Sequence, residues 1–161
     1  MPDQIRRIDS FYLTVSDAPW EAARILAGLQ TAGVNLLGIS VFPHGAHQSE
    51  LDLIPEDSGA LRRAAKTAGL KLSRMKTGFL IQGEAGPGAV ADTANTLAEV
   101  AISDISVQVF CASAGNYGGM LWVGAHDLRR AAKALRASSW KKPKPASSSG
   151  DYPSPFDETD I

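Results

Sequence analysis

The sequence is short of cysteine, of net charge and of long apolar runs. A single cysteine, Cys111, in 161 residues cannot form an intrachain disulfide. A formal net charge of −1 leaves no whole-molecule field to draw in nucleic acid or an anionic membrane. No apolar stretch approaches the length of a membrane span. The polar start "MPDQIRRID" cannot serve as a secretory core segment. These absences set the expectation of a soluble, cytoplasmic protein with neither a nucleic-acid nor a membrane partner. Catalytic signatures are lacking too: there is no Walker loop, dinucleotide fingerprint, nucleophile elbow or HExxH. The glycines of "GEAGPG" are too few and wrongly spaced for a phosphate loop. Histidine is scarce, and His44 and His47, three apart in "PHGAHQ", have no cysteine nearby to make a metal site. No metal and no cofactor is expected. A reactive Cys111 would need a histidine or a cationic neighbour, so an inert, part-buried thiol is the simpler expectation.

What is present is a repeat. "LRRAAK" occurs at Leu61–Lys66 and again at Leu128–Lys133. Sliding the chain by 68 positions places Phe11 on Phe79, Pro19 on Pro87, Ala23 on Ala91, Leu29 on Leu97, and Val41 and Phe42 on Val109 and Phe110. Conservative pairs fill the gaps, among them Leu13 with Ile81, Val34 with Ile102 and Ile39 with Val107. The hexapeptides lie 67 apart, so one residue is lost between the loops "PHGAHQ" and "ASAGNYGG". An Ala/Arg/Lys helix face recurs by chance, but the ungapped match upstream, in the same order, points to duplication.

Within the first unit, "RRIDSFYLTVS" reads as a strand. Asp17 can cap a following helix, with Pro19 tolerated in its first turn. Ala22, Ile25, Leu26 and Leu29 recur at helical spacing, and Gly33 ends the run. "VNLLGISVF" and "SELDLIP" are strands around a turn, with Leu51 and Leu53 on one face. "EDSG" starts a second helix over "ALRRAAKTAG", ended by Gly69, and "LKLSRMK" is a fourth short strand. The second unit repeats the order: strand "GFLIQGE", turn "AGPG", a helix with Val90, Thr93, Ala94 and Leu97 inward, strands "ISDISVQVFCA" and "YGGMLWVGA", then helix "HDLRRAAKALRA". Its fourth strand is missing or degraded, replaced by "SSWKK" and a Pro/Ser-rich tail. The expected fold class is α+β: a ferredoxin-like βαββαβ unit written twice, with antiparallel sheets carrying helices on one face. The domains are then residues 1–76 and 77–137, with 138–161 a free polar tail that Trp140, Tyr152 and Phe156 could instead dock. One unit alone leaves a sheet face and strand edges bare; two units cover each other edge to edge or face to face.

A Pro-containing turn after the first strand, followed by a helix that ends in "AGVNLLGIS", resembles the ACT-domain family over about Arg7 to Ala137. The family motif maps onto Asp17, Pro19, Gly33, Val34 and Asn35, and in the second unit onto Gly86, Pro87, Gly88 and Ile102. The resemblance implies a regulatory module that binds an amino acid or similar small molecule, with the pocket between the first turn of one unit and the second-strand start of the other. It therefore implies ligand contacts from Asp17, Ala18, Trp20, Asn35 and Leu36 in the first unit and Glu84, Gly86, Pro87, Gly88 and Ser103 in the second. Trp20 stands where the family has glycine, Ala85 where it has aspartate, and Ser103 where Asn35 would match, so each unit keeps about half a site.

Chemistry supports such a reading and also supplies plainer ones. Helix-start N–H groups behind "EAGPGAV" suit a carboxylate, Asp17 or Glu84 an ammonium group, and Asn35 either. Equally, Asp17 is a plain cap, the glycines serve a tight turn, Asn35 caps the start of a strand and Trp20 is a core or interface aromatic. An RNA-recognition module shares this strand order, but Phe11, Phe42, Phe79 and Phe110 fall where packing against helices or a sister sheet is expected. The basic residues of the two "LRRAAK" helices read as solvated faces. Function is thus expected to be small-molecule binding for regulation, without enzymatic activity. The alternatives are a ligand-free assembly module, with a homodimer or a regulated protein as partner, and an enzyme on a ferredoxin-like scaffold.

Overall fold

The fold is taken from a computed structural model that describes residues 3–139 apart from 19 and 114. The Pro/Ser-rich tail from Trp140 onward, the placement of Pro19 and the side chain of Cys111 lie outside the described residues. Eleven elements follow one another: β1 (Gln4–Ser16), α1 (Glu21–Thr31), β2 (Leu36–Pro43), β3 (Gln48–Pro55), α2 (Ser58–Thr67), β4 (Lys76–Glu84), α3 (Ala91–Glu99), β5 (Ile105–Ser113), β6 (Asn116–Val123), α4 (Leu128–Ala134) and β7 (Ser138–Ser139). The strands form one sheet in the order β2-β3-β1-β4-β6-β5, with β7 beside β1.

β1 joins the halves. Its later residues pair antiparallel with β3, Phe11 opposite Leu53 and Ser16 opposite Gln48. Its earlier residues pair antiparallel with β4, Gln4 opposite Gln82 and Ser10 opposite Lys76. Its side chains alternate between the two faces, and both faces are buried around Ser10 and Phe11. Phe11, Leu13 and Val15 point to the core beneath α1 and α2, together with Ile25, Leu29, Leu51, Leu53 and Leu61. Ile5 reaches the matching core of the second half, where Phe79, Ile81, Leu97, Tyr117 and Leu121 meet α3 and α4. Ile8, on the opposite face, joins Ile54, Leu80 and Met120, with Leu37 and Trp122 packed alongside. That third cluster contains no helical residue. It closes because the sheet curls onto itself: a Cβ on Gly38 of β2 would stand 3.0 Å from the Met120 sulfur of β6, two strands that are not neighbours in the sheet. The helices cover the outside of the curl. The fold class is therefore as expected, and the halves meet both edge to edge and face to face.

The duplication shows again in the backbone. Helices α1 and α3 both end on a left-handed residue, Gly33 (φ 71°) and Ala101 (φ 54°), followed by Val34 N–H donating to Leu29 O and Ile102 N–H donating to Leu97 O. α2 and α4 both end on another, Gly69 (φ 67°) and Arg136 (φ 50°), followed by Leu70 N–H to Ala65 O and Ala137 N–H to Ala132 O.

Several local expectations need correction. α1 starts at Glu21 after Trp20, with no side-chain cap, so Asp17 is not its N-cap. Asp57, by contrast, caps α2, accepting from Gly59 and Ala60 N–H at 2.8 and 3.0 Å. Ala94 is exposed rather than inward, because Thr93 and Leu97 already fill the buried stripe of this nine-residue helix. "LKLSRMK" is not a strand up to Lys76. Ser73 N–H donates to Tyr12 O at 2.8 Å, but Tyr12 N–H is met by the Ser73 hydroxyl at 2.9 Å instead of a carbonyl. Since Ser10 faces Lys76, two steps on β1 span three on the facing chain, and this slip breaks the ladder. In the second half the fourth strand survives as the two residues of β7, parallel to β1 at Arg6 and Arg7. The place beside β4 is held by β1 itself. Phe42 and Phe110 are exposed (46% and 50%), not packed under helices, because each sits on an outermost strand of the sheet, on the face away from the helices.

Candidate functional site

β4 ends at Glu84 and the chain turns through Ala85–Val90 into α3. Ala85 N–H donates to Gly115 O at 2.9 Å, Ala89 N–H to Gly86 O at 3.1 Å and Ala91 N–H to Gly88 O at 2.8 Å. Gly88 takes φ 78°, a conformation that side chains resist. Val90 precedes α3 and supplies no side-chain cap to its first N–H groups. This turn forms one wall of a cleft of about 820 Å³. The start of β1 (Asp3, Ile5), the first turns of α3 (Asp92, Thr93, Thr96) and the end of α4 (Ala134–Arg136) form the rest. Such a volume lies within the range of small-molecule sites.

Tyr117 organises the rim. Its hydroxyl donates to Asp3 Oδ2 at 2.5 Å and stands 3.1 Å from the Ala89 carbonyl oxygen. The phenol ionises only well above its ordinary range: burial disfavours the phenolate, the hydrogen bond to Asp3 holds the proton, and the charges of Asp3 and Asp92 add to both. Tyr117 is thus a permanent donor that ties β6, the start of β1 and the glycine turn together. Gly83 makes room for it, since a Cβ there would run into the Asp3 carboxylate and come within 2.7 Å of the Tyr117 ring. Three carboxylates, Asp3, Glu84 and Asp92, and one guanidinium, Arg136, line the cleft. This charge pattern repels a lone anion and suits a cation, or a zwitterion whose ammonium end faces the carboxylates.

Of the residues expected from the sequence, Glu84, Gly86, Pro87 and Gly88 come together in this cleft. Asp17, Ala18, Trp20, Asn35, Leu36 and Ser103 do not line it. β1 and β4 run antiparallel, with Gln4 opposite Gln82, so the turn after β1 and the turn after β4 lie at opposite ends of the sheet. The length of β1, about 40 Å of extended strand, separates them. A site that joins the two turns therefore does not form within one chain. Asp17 belongs instead to the β2–β3 turn: its N–H donates to His47 O at 3.2 Å, and its carboxylate lies 3.7 Å from His47 Nδ1. Ala18 N–H donates to the Ser16 hydroxyl. Trp20 is exposed (69%). Asn35 exchanges two bonds with Glu56, through Nδ2 to Oε2 at 3.4 Å and from Glu56 N–H to its carbonyl at 2.9 Å, and so fastens the start of β2 to the end of β3. Leu36 packs on the first core, and Ser103 accepts from Ile105 N–H at 3.1 Å.

Sequence reasoning missed Asp3, Asp92, Tyr117 and Arg136. One signal was available for Arg136: it falls one repeat after Gly69, at a helix end where a left-handed residue is required. Among the described residues no group of three or more His, Cys, Asp or Glu side chains could hold a metal ion. Nor is any described helix long and apolar enough to cross a membrane.

Comparison with known proteins yields a likeness of fold. No family model matches the chain, and no curated protein matches it. Among solved structures, a protein from Bacteroides thetaiotaomicron is similar at 16% identity, over 83% of this chain and 88% of its own, with a TM-score of 0.66. The regulatory subunit of aspartate kinase from Thermus thermophilus is similar at 14% identity, over 84% of this chain and 95% of its own, with a TM-score of 0.56. Aspartate kinase from Synechocystis is similar over 94% of this chain but 28% of its own, at 15% identity and a TM-score of 0.52. The fold is ACT-like.

Proposed function

We propose that this chain is a regulatory module that binds a small zwitterion, an amino acid, in the cleft beside the "EAGPG" turn, and that it is not an enzyme. The observation that carries the reading is the charge arrangement there. A backbone turn of small residues meets three carboxylates and one guanidinium, Arg136, within a volume suited to a small molecule. Asp92 and Glu84 face the ammonium group, and Arg136 takes the carboxylate as a fork. The ACT-like fold, and its likeness to a subunit that is regulatory in aspartate kinase, support regulation as the use of that binding. The two units are residues 1–76 and 77–137, the second extended by the two residues of β7, and the ligand site of the second is the one retained.

Titration calorimetry against a panel of the proteinogenic amino acids tests this. One compound should bind and raise the melting temperature by mass action, as a ligand specific for the native state must. Arg136→Gln should remove the binding while the fold persists. A panel with no binder, or a binder indifferent to Arg136→Gln, would refute it.

A second reading, assembly, rests on a separate observation. The two outermost strands expose large apolar side chains: Ile39, Val41 and Phe42 on β2, and Ile105, Val107, Val109 and Phe110 on β5. Bare apolar edges of this kind pair with another strand. Light scattering of the full chain beside Val41→Lys and Val109→Lys distinguishes a dimer through either edge from a monomer.

A further inference from the structure

The broken ladder at Ser73 leaves an opening between α2 and residues 70–75, a cleft of about 530 Å³ in the first half of the chain. We propose that this cleft is a second ligand site, for a small organic phosphate: a phosphate monoester on a flat apolar body. Its lining contains three cations, Arg62, Lys66 and Arg74, and no carboxylate. In a chain of net charge −1 this is a local excess. Among the described residues no carboxylate is paired with Arg62, Lys66 or Arg74. The floor is apolar, built from Leu72, Met75 and Phe11.

Arg62 is more than a solvated helix residue. Its guanidinium lies 5.2 Å from the centroid of the Phe11 ring and 3.6 Å from the Met75 sulfur, which hold it over the cleft. A planar guanidinium fixed in this way presents paired donors to a phosphate, and two further cations suit a dianion better than a single carboxylate. At the corresponding place in the second half the chain continues into β7 and closes onto β1 at Arg6 and Arg7. This assignment is independent of the cleft at Arg136, which is lined by other residues.

The test uses the full chain at low ionic strength, with AMP as probe, adenosine as its neutral counterpart, and calorimetry as the readout. AMP should bind, adenosine should not, and added salt should weaken AMP. Lys66→Gln combined with Arg74→Gln alters two exposed side chains and should leave the melting temperature unchanged. It should weaken AMP about tenfold or more, the loss of two charge-assisted contacts. Arg136→Gln should leave AMP binding intact. Absence of AMP binding, equal binding of adenosine, or an undiminished affinity in the double variant would each overturn the proposal. So would binding of phosphatidylserine vesicles or a single-stranded oligonucleotide without AMP, which would make the patch a macromolecular contact.

Discussion

The Tyr117 hydroxyl and the Asp3 carboxylate, 114 positions apart in the chain, meet at 2.5 Å and pin the start of β1 to β6 at the mouth of the acidic cleft. Tyr117 is buried, so its hydroxyl is satisfied by Asp3 and the Ala89 carbonyl rather than by bulk water. Tyr117→Phe keeps the ring in its core and removes the donor. A bond to a charged acceptor contributes about 1.5–3 kcal/mol, and solvent near the cleft mouth offsets part of the loss. Urea denaturation should show the variant about 1–2 kcal/mol less stable. Any ligand of the cleft should bind it more weakly, because the glycine turn loses its tether through Ala89.

Gly78 is the second place where one atom decides the packing. A Cβ there would stand 2.8 Å from the Leu121 carbonyl oxygen, 2.8 Å from Trp122 Cδ1 and 2.9 Å from Trp122 Nε1. The carbonyl belongs to the β4–β6 ladder and cannot retreat, since Phe79 is fixed opposite Leu121. Gly78→Ala must displace the indole that covers the inner cluster with Ile8, Leu80 and Met120. Overpacking of this kind costs about 1–3 kcal/mol. The variant should lose that much in chemical denaturation, and its tryptophan emission should shift to the red as Trp122 moves toward water.

Much of the fold was legible because the physics is local and written twice. The terminating glycines, Gly33 and Gly69, mark both helix ends in the first half, and Asp57 stands where its carboxylate caps α2. Leu51 and Leu53 alternate onto the helix-covered face, while Ile54, buried on the other face, shows that the strand's end is covered on both sides. What the residues could not convey was pairing at long range. Nothing in "QIRRIDS" says that β1 extends to lie beside β4 as well as β3, and this doubling fixes both turns at opposite ends of the sheet. The candidate site was half legible for the same reason. Glu84, Gly86, Pro87 and Gly88 are neighbours in sequence and form one wall, whereas Asp3, Tyr117 and Arg136 arrive through the sheet and the last helix. Asp17 and Asn35 have family-like positions, but His47 and Glu56 occupy them.

Asp52 gives the chain a pH dependence of definite sign. It lies opposite Tyr12 on β1 and Ser40 on β2. Burial raises its carboxyl above the ordinary value; Lys76 pulls it down, and Glu50 pushes it up again. The native state therefore keeps a proton that the unfolded chain has already released. Stability falls as pH rises from the unfolded value, about 4, through the raised native one, and the whole penalty is present above it. Asp52→Asn removes the penalty. The variant should be more stable than the parent at neutral pH, and its stability should be flatter over the window just above pH ~4. Thermal melts of both proteins across that range measure the difference. A parent whose stability, measured relative to Asp52→Asn, rises through the window would contradict the assignment.

Ala101 offers the reverse experiment, a substitution that strengthens the fold. It closes α3 with φ 54°, where the first half uses Gly33 at φ 71° for the same turn of α1. The hydrogen bonds around it are already in place: Ala101 N–H donates to Ala98 O at 2.9 Å, and Ile102 N–H to Leu97 O at 3.0 Å. Only the Cβ resists the conformation, at a cost of about 1–2 kcal/mol for an L-residue in the left-handed region. Glycine removes that cost and gives back part of the gain as chain entropy in the unfolded state. Ala101→Gly should therefore stabilise the chain by about 0.5–1 kcal/mol, a rise of a few degrees in melting temperature. Gly33→Ala should lower it by a similar amount. Opposite signs at positions 68 apart in the repeat are what one helix-ending turn, used twice, requires. A destabilising Ala101→Gly would show that the two halves end their helices by different means.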